Sequence, residues 1–124
     1  MKKKKPISSS KKKQRLRSEC DKLYYQKYLK DFCEVCGNSG ILQAHHFYYR
    51  SSYAHLRFLP ENHITLCRKC HFVLHHQDPK KIEEIIITNR GKRWFNKLQK
   101  LSRNRPKNFQ TTIGYYEEIK LKLK

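Results

Sequence analysis

Asn62-His63-Ile64-Thr65-Leu66-Cys67-Arg68-Lys69-Cys70-His71-Phe72-Val73-Leu74-His75-His76 reads as a short strand running directly into a helix, with a C-x-x-C pair at the joint. His63–Cys67 has the length and apolar character of a strand. Arg68–His76 reads as a helix ended by Asp78-Pro79, because the residue before proline is pushed away from the helical region. His71 and His75 lie four apart on that helix and therefore share one face. A helix uses this spacing to give two imidazoles to one divalent metal ion.

Upstream, Leu42-Gln43-Ala44-His45-His46-Phe47-Tyr48-Tyr49 sets two adjacent histidines between a short apolar run and three aromatics. Ile41–Phe47 reads as a strand, and a strand points neighbouring side chains to opposite faces. Two imidazoles side by side are thus suited to two separate jobs. His45 could supply a third ligand beside His71 and His75, leaving open positions for water and phosphate. His46, pointing the other way, is free to act on a proton, and an unperturbed histidine titrating near ~6.5 is a usable base at neutral pH. All seven histidines fall between residues 45 and 76. His55 and His63 read as loop and sheet residues without a catalytic part, and His76 as facing solvent or a bound partner.

Cys33-Glu34-Val35-Cys36 and Cys67-Arg68-Lys69-Cys70 form two C-x-x-C pairs. A two-residue gap lets both thiolates of a turn reach one ion, and zinc favours four such ligands in a tetrahedron. The alternative is redox or core thiols, but in a reducing compartment paired cysteines favour metal. Between the pairs lie 30 residues, Gly37 to Leu66, more than the ~15–20 of a simple zinc ribbon. The insert contains the double histidine. Cys20 is left over, on the apolar face of the first helix, as a buried small hydrophobe.

Charge divides the 124 residues into three. Residues 1–17 hold nine Lys/Arg and no acid, residues 18–78 seven basic against six acidic, and residues 79–124 thirteen against four. A near-neutral centre is flanked by two cationic segments, within a formal net charge of +19. Charge this one-sided favours a polyanion partner. No stretch pairs a basic face with a broad apolar one, as a membrane-surface helix would. Neither a transmembrane span nor the apolar core of a signal peptide is read, so the expected setting is intracellular.

The expected organisation is a disordered basic arm over 1–13, a metal-binding domain over 14–78 and a basic helical tail over 79–124. Helices are expected at 14–32, 80–88, 94–101 and 112–123, with a turn-rich knuckle at 33–40, a loop at 48–60 and breaks at Asn89-Arg90-Gly91 and Pro106. The fold class is small α+β. A core this thin gains from a structural metal.

The order hairpin, loop, helix, carrying Ala44-His45-His46, then Glu61-Asn62-His63-Ile64-Thr65-Leu66-Cys67, then Arg68-Lys69-Cys70-His71, resembles the HNH (ββα-metal) endonuclease superfamily, in its branch with two zinc-binding C-x-x-C pairs. Tyr49-Arg50-Ser51 and His55-Leu56-Arg57-Phe58, followed by Asn62, are similar to the NinG (Rap) recombination nucleases of temperate phages. The resemblance implies a zinc-stapled ββα-metal core with an N-terminal helix. It implies zinc on Cys33, Cys36, Cys67 and Cys70, and a catalytic divalent ion, Mg2+ or Mn2+, on His45, His71 and His75. It makes His46 the general base and Asn62 the residue that pins the loop and orients that base. It implies hydrolysis of DNA phosphodiesters to 5′-phosphate and 3′-hydroxyl ends, with recombination and branched DNA as the setting.

DNA, duplex or branched, is accordingly the expected partner ahead of RNA. Arg50, Arg57, Arg68, Lys69, Lys92 and Arg93 are the candidate contacts, and monomer and homodimer both remain open. Trp94 is expected to pack within the tail, with stacking on bases as the alternative. The competing function is a non-catalytic zinc-knuckle protein that binds nucleic acid. It accounts for the cysteines and the charge but gives no reason for His45, His46, Asn62, His71 and His75. An interaction scaffold accounts for still less.

Overall fold

Strand β1 (Leu42–His46) pairs antiparallel with β2 (His63–Cys67), His45 opposite Ile64 and His46 opposite His63. All five residues of β2 are buried. Helix α2 (Arg68–His76) follows β2 without a break, and the Cys67 side chain caps it by accepting from the Cys70 N–H. Asp78 caps α3 (Pro79–Arg90) through the Lys81 N–H, and Pro79 sits where its missing N–H costs nothing. Ile82 and Ile86, one turn apart on α3, are buried with Leu74 of α2 and Ile64 and Leu66 of β2 in one apolar cluster. Gly91, at φ 97°, then separates α3 from α4 (Lys92–Arg103) in a conformation that side chains disfavour.

The computed structural model describes residues 8–124. Among them are five α-helices and one two-stranded sheet, a small α+β fold, completed by helix α1 (Ser9–Tyr28) and helix α5 (Ile113–Leu123). The described residues form two units: Tyr28–Phe109, and the segment through Lys27 together with Gln110–Lys124. In the second unit Cys20 and Tyr24 of α1 and Tyr116 and Leu123 of α5 are buried. There Cys20 Sγ donates to the Tyr116 carbonyl at 3.2 Å, and Glu19 pairs with Lys120 at 2.7 Å. No helix of the described residues is long and apolar enough to cross a membrane.

Three expectations change. Lysines 11–13, expected in a disordered arm, lie within α1, where lysine is a good helix former; Lys2–Lys5 lie outside the described residues. Residues 79–109, expected in a separate tail, belong to the unit that holds both C-x-x-C pairs, because Ile82 and Ile86 give α3 an apolar stripe that α2 covers. Trp94 packs against that core as well, edge-on to Phe47 at 5.1 Å, with its indole N–H on the Glu61 carbonyl at 2.9 Å. Arg90 lies 4.8 Å above the Trp94 ring. Its packing therefore serves the fold, and Phe95, 6.0 Å from Phe47, belongs to the same contact.

Candidate metal centres

The knuckle of Cys33–Gly37 turns because the Gly37 N–H returns to the Cys33 carbonyl at 2.9 Å, with Gly37 at φ 79°. This brings Cys33 and Cys36 against Cys67 and Cys70, all four sulfurs within 4.8 Å of one another. Zinc–sulfur bonds of ~2.3 Å make a tetrahedron with edges of about 3.8 Å. Cys36 Sγ and Cys67 Sγ stand 3.6 Å apart, and no disulfide joins any of the five cysteines. The four cysteines could thus hold an ion such as zinc. Their chemistry asks for one. Burial pushes Cys33 up, yet backbone N–H groups of Cys36, Cys67 and Val35 outweigh it and bring the thiol down to about 7. Burial raises Cys70, and the sulfurs of Cys67, Cys33 and Cys36 raise it further. Four sulfurs this close share negative charge poorly without a cation among them.

Between the first two cysteines stands a residue whose importance the sequence did not reveal. Glu34 is 6% exposed. Its carboxylate accepts from Arg90 Nε at 2.6 Å, Lys30 Nζ at 2.9 Å and the Thr65 N–H at 2.6 Å. Desolvation works against the charged form, but Arg90, the Thr65 N–H and Lys30 prevail and hold the carboxyl below its ordinary range. Arg90 also donates to the carbonyls of His63 at 2.6 Å and Glu61 at 3.2 Å, joining knuckle, α3 and β2. The one available signal was an acidic residue inside a C-x-x-C of a strongly basic chain.

The second cluster is made of imidazoles. His45 comes from β1 and His71 and His75 from one face of α2, and their ligand nitrogens all lie within 4.8 Å of one another. Ring centroids are 5.8 Å apart for His45 and His71, 5.2 Å for His45 and His75, and 4.4 Å for His71 and His75. Burial first, then the neighbouring His75 and His71, lowers His45 to about 3. Burial and His75 lower His71 also. Three imidazoles this close, with His45 and His71 shifted toward the neutral form, suit a divalent ion of borderline softness.

His46 is 6% exposed, and its Nε2 lies 2.9 Å from the Arg57 carbonyl. A carbonyl can only accept, so Nε2 carries a proton. The Arg57 carbonyl sits in a loop whose shape depends on Asn62. This fully buried amide accepts from the Tyr48 N–H at 2.8 Å and donates to the carbonyls of Tyr48 and Leu56, at 3.1 and 3.2 Å. Phe47 N–H reaches the Asn62 carbonyl at 2.9 Å. His63 and His55 serve structure. His63 is buried in β2, and burial lowers it to about 4. His55 Nε2 meets the Leu101 carbonyl at 3.0 Å, tying the loop to α4.

Of the cations expected to meet nucleic acid, Arg50, Arg68, Lys69, Lys92 and Arg93 are exposed, and Arg57 is half-buried over the Phe58 ring at 5.7 Å. No known family, curated protein or solved structure matches the chain.

Proposed function

We propose that this protein is a metal-dependent DNA endonuclease of the HNH type. The observation that carries the reading is the convergence of His45, His71 and His75 while the adjacent His46 is locked by the Arg57 carbonyl. The three converging imidazoles would hold a divalent ion, and as nitrogen donors they favour a borderline ion such as Zn2+, Ni2+ or Co2+ over Mg2+ or Mn2+. Bound there, such an ion supplies charge neutralisation for a non-bridging phosphate oxygen and the departing 3′ oxygen. His46, protonated at Nε2, takes a proton at Nδ1 from the attacking water. Asn62 acts through geometry, since it fixes the loop that carries the carbonyl orienting His46. The four-cysteine cluster, loaded with zinc, would brace the ends of the segment that presents these groups.

Supercoiled plasmid without added metal and with Ni2+, Co2+, Zn2+, Mn2+ or Mg2+ in turn tests the reading. The wild type should nick only with metal. His46→Ala should lose ~10²–10⁴-fold in rate while still binding DNA. Undiminished cleavage by the variant removes His46 from the chemistry. No cleavage by the wild type leaves a zinc module that binds nucleic acid without cutting it.

Affinity is expected to come from exposed cations on the flanks of the near-neutral centre. Replacing Lys92 and Arg93 together by Ala should flatten the slope of log K against log salt by about two. Anisotropy titrations at several salt concentrations measure this, and an unchanged slope places both side chains outside the interface.

A further inference from the structure

Of the three consecutive aromatics after the double histidine, two are committed to the fold. Phe47 packs on Trp94, and Tyr48 packs on Tyr53 at 4.8 Å with its backbone clasped by Asn62. Tyr49 is different. Its carbonyl accepts from the N–H groups of Ser52 and Tyr53, at 3.1 and 2.9 Å, so its backbone is held in a turn. Yet the residue remains 49% exposed, with its ring edge-on to His45 at 6.1 Å. A large ring held at the rim of the triad and left in water contributes little to the core.

On α2 a second such ring follows His71 directly. Phe72 is 53% exposed, and its one ring neighbour among the described residues is His76, at 4.8 Å and 38°. Arg68, Phe72 and His76 recur every four residues, so they form one stripe beside the His71–His75 stripe. That stripe is exposed along its length and alternates cation, phenyl and imidazole. Exposed Arg50 gives Tyr49 a cation next to it in the chain. Phosphates attract cations of this kind, and unpaired bases offer flat faces to rings; a continuous duplex hides those faces within its stack.

We propose that Tyr49 and Phe72 are base-stacking positions on the two flanks of the triad, so that the DNA bound there is single-stranded or locally unpaired. This rests on the endonuclease reading for the placement of the strand, but stacking is measured by binding and needs no cleavage. Full-length zinc-loaded protein, with no Mg2+ or Mn2+ added, is titrated into a fluorescein-labelled single strand and into the duplex of the same sequence. The wild type should bind the single strand more tightly. Tyr49→Ala and Phe72→Ala should each weaken single-strand binding by about five- to a hundredfold, as loss of one base–ring stack does, with less than twofold change on the duplex. Tyr49→Phe and Phe72→Tyr should restore it. Both side chains are exposed, and unchanged zinc content and melting temperature confirm that each variant is folded.

Equal losses on strand and duplex, or none on either, overturn the proposal. So does a Phe72→Ala variant whose only change is in sedimentation, because the ring would then cover a second copy of the chain. If stacking holds and the plasmid is never nicked, the endonuclease reading alone falls. Metal-dependent nicking without a strand preference overturns the stacking alone.

Discussion

Cys67→Ser should abolish zinc binding and leave the Tyr28–Phe109 unit without a cooperative melting transition near 37 °C. Three roles meet in this sulfur. It lies 3.6 Å from Cys36 Sγ, it ends β2, and it caps α2 by accepting from the Cys70 N–H. A serine hydroxyl can still cap the helix, but it stays protonated and is too hard a ligand to replace a thiolate. Structural zinc contributes ~10–16 kcal/mol in small zinc-binding peptides, whereas a whole domain is stable by ~5–15 kcal/mol. Losing even part of the former exhausts the latter. Zinc stoichiometry and thermal circular dichroism, measured together, decide the matter. Retention of both metal and melting temperature would falsify the structural role. Cys20→Ser is the control, since Cys20 lies in the other unit and should leave zinc content unchanged.

Arg90→Ala should destabilise the same unit by about 3 kcal/mol, the lower end for breaking a buried ion pair because Lys30 still faces Glu34. The loss is larger than the contact alone because Glu34 stays buried with its charge, while the carbonyls of Glu61 and His63 lose a donor. A fall in Tm of roughly 10 °C or more is expected for a unit this size. Arg90→Lys should recover only part, since an ammonium keeps the charge but not the fork that spans three acceptors. Combining Arg90→Ala with Glu34→Gln should cost less than the sum of the two. Strict additivity would show that the pair does not act as a unit.

Several local features were legible before any coordinates. The limits of β2 and α2 follow from the short apolar run of His63–Cys67 and the stop at Asp78-Pro79. The two C-x-x-C pairs and the i, i+4 histidines mark ligand chemistry because metal geometry constrains neighbours within a turn or two. Other features were not. Trp94 reads in sequence as part of its own segment because its partners, Phe47 and the Glu61 carbonyl, come from far upstream. The charge of residues 11–13 suggests a disordered arm, although lysine forms helix readily once α5 gives α1 a face to cover.

Residue type and short spacing therefore determined, from the chain alone, which side chains could bind a metal and which knuckle, strands and helix carry them. Tertiary structure decided the rest: that α3 and α4 belong to the unit with both C-x-x-C pairs, that His46 Nε2 meets Arg57, and that Glu34 is buried under an arginine 56 residues away. The reason is physical. A ligand set is written by local geometry, but a buried charge survives only where distant donors converge to replace its water, and no local pattern encodes that convergence.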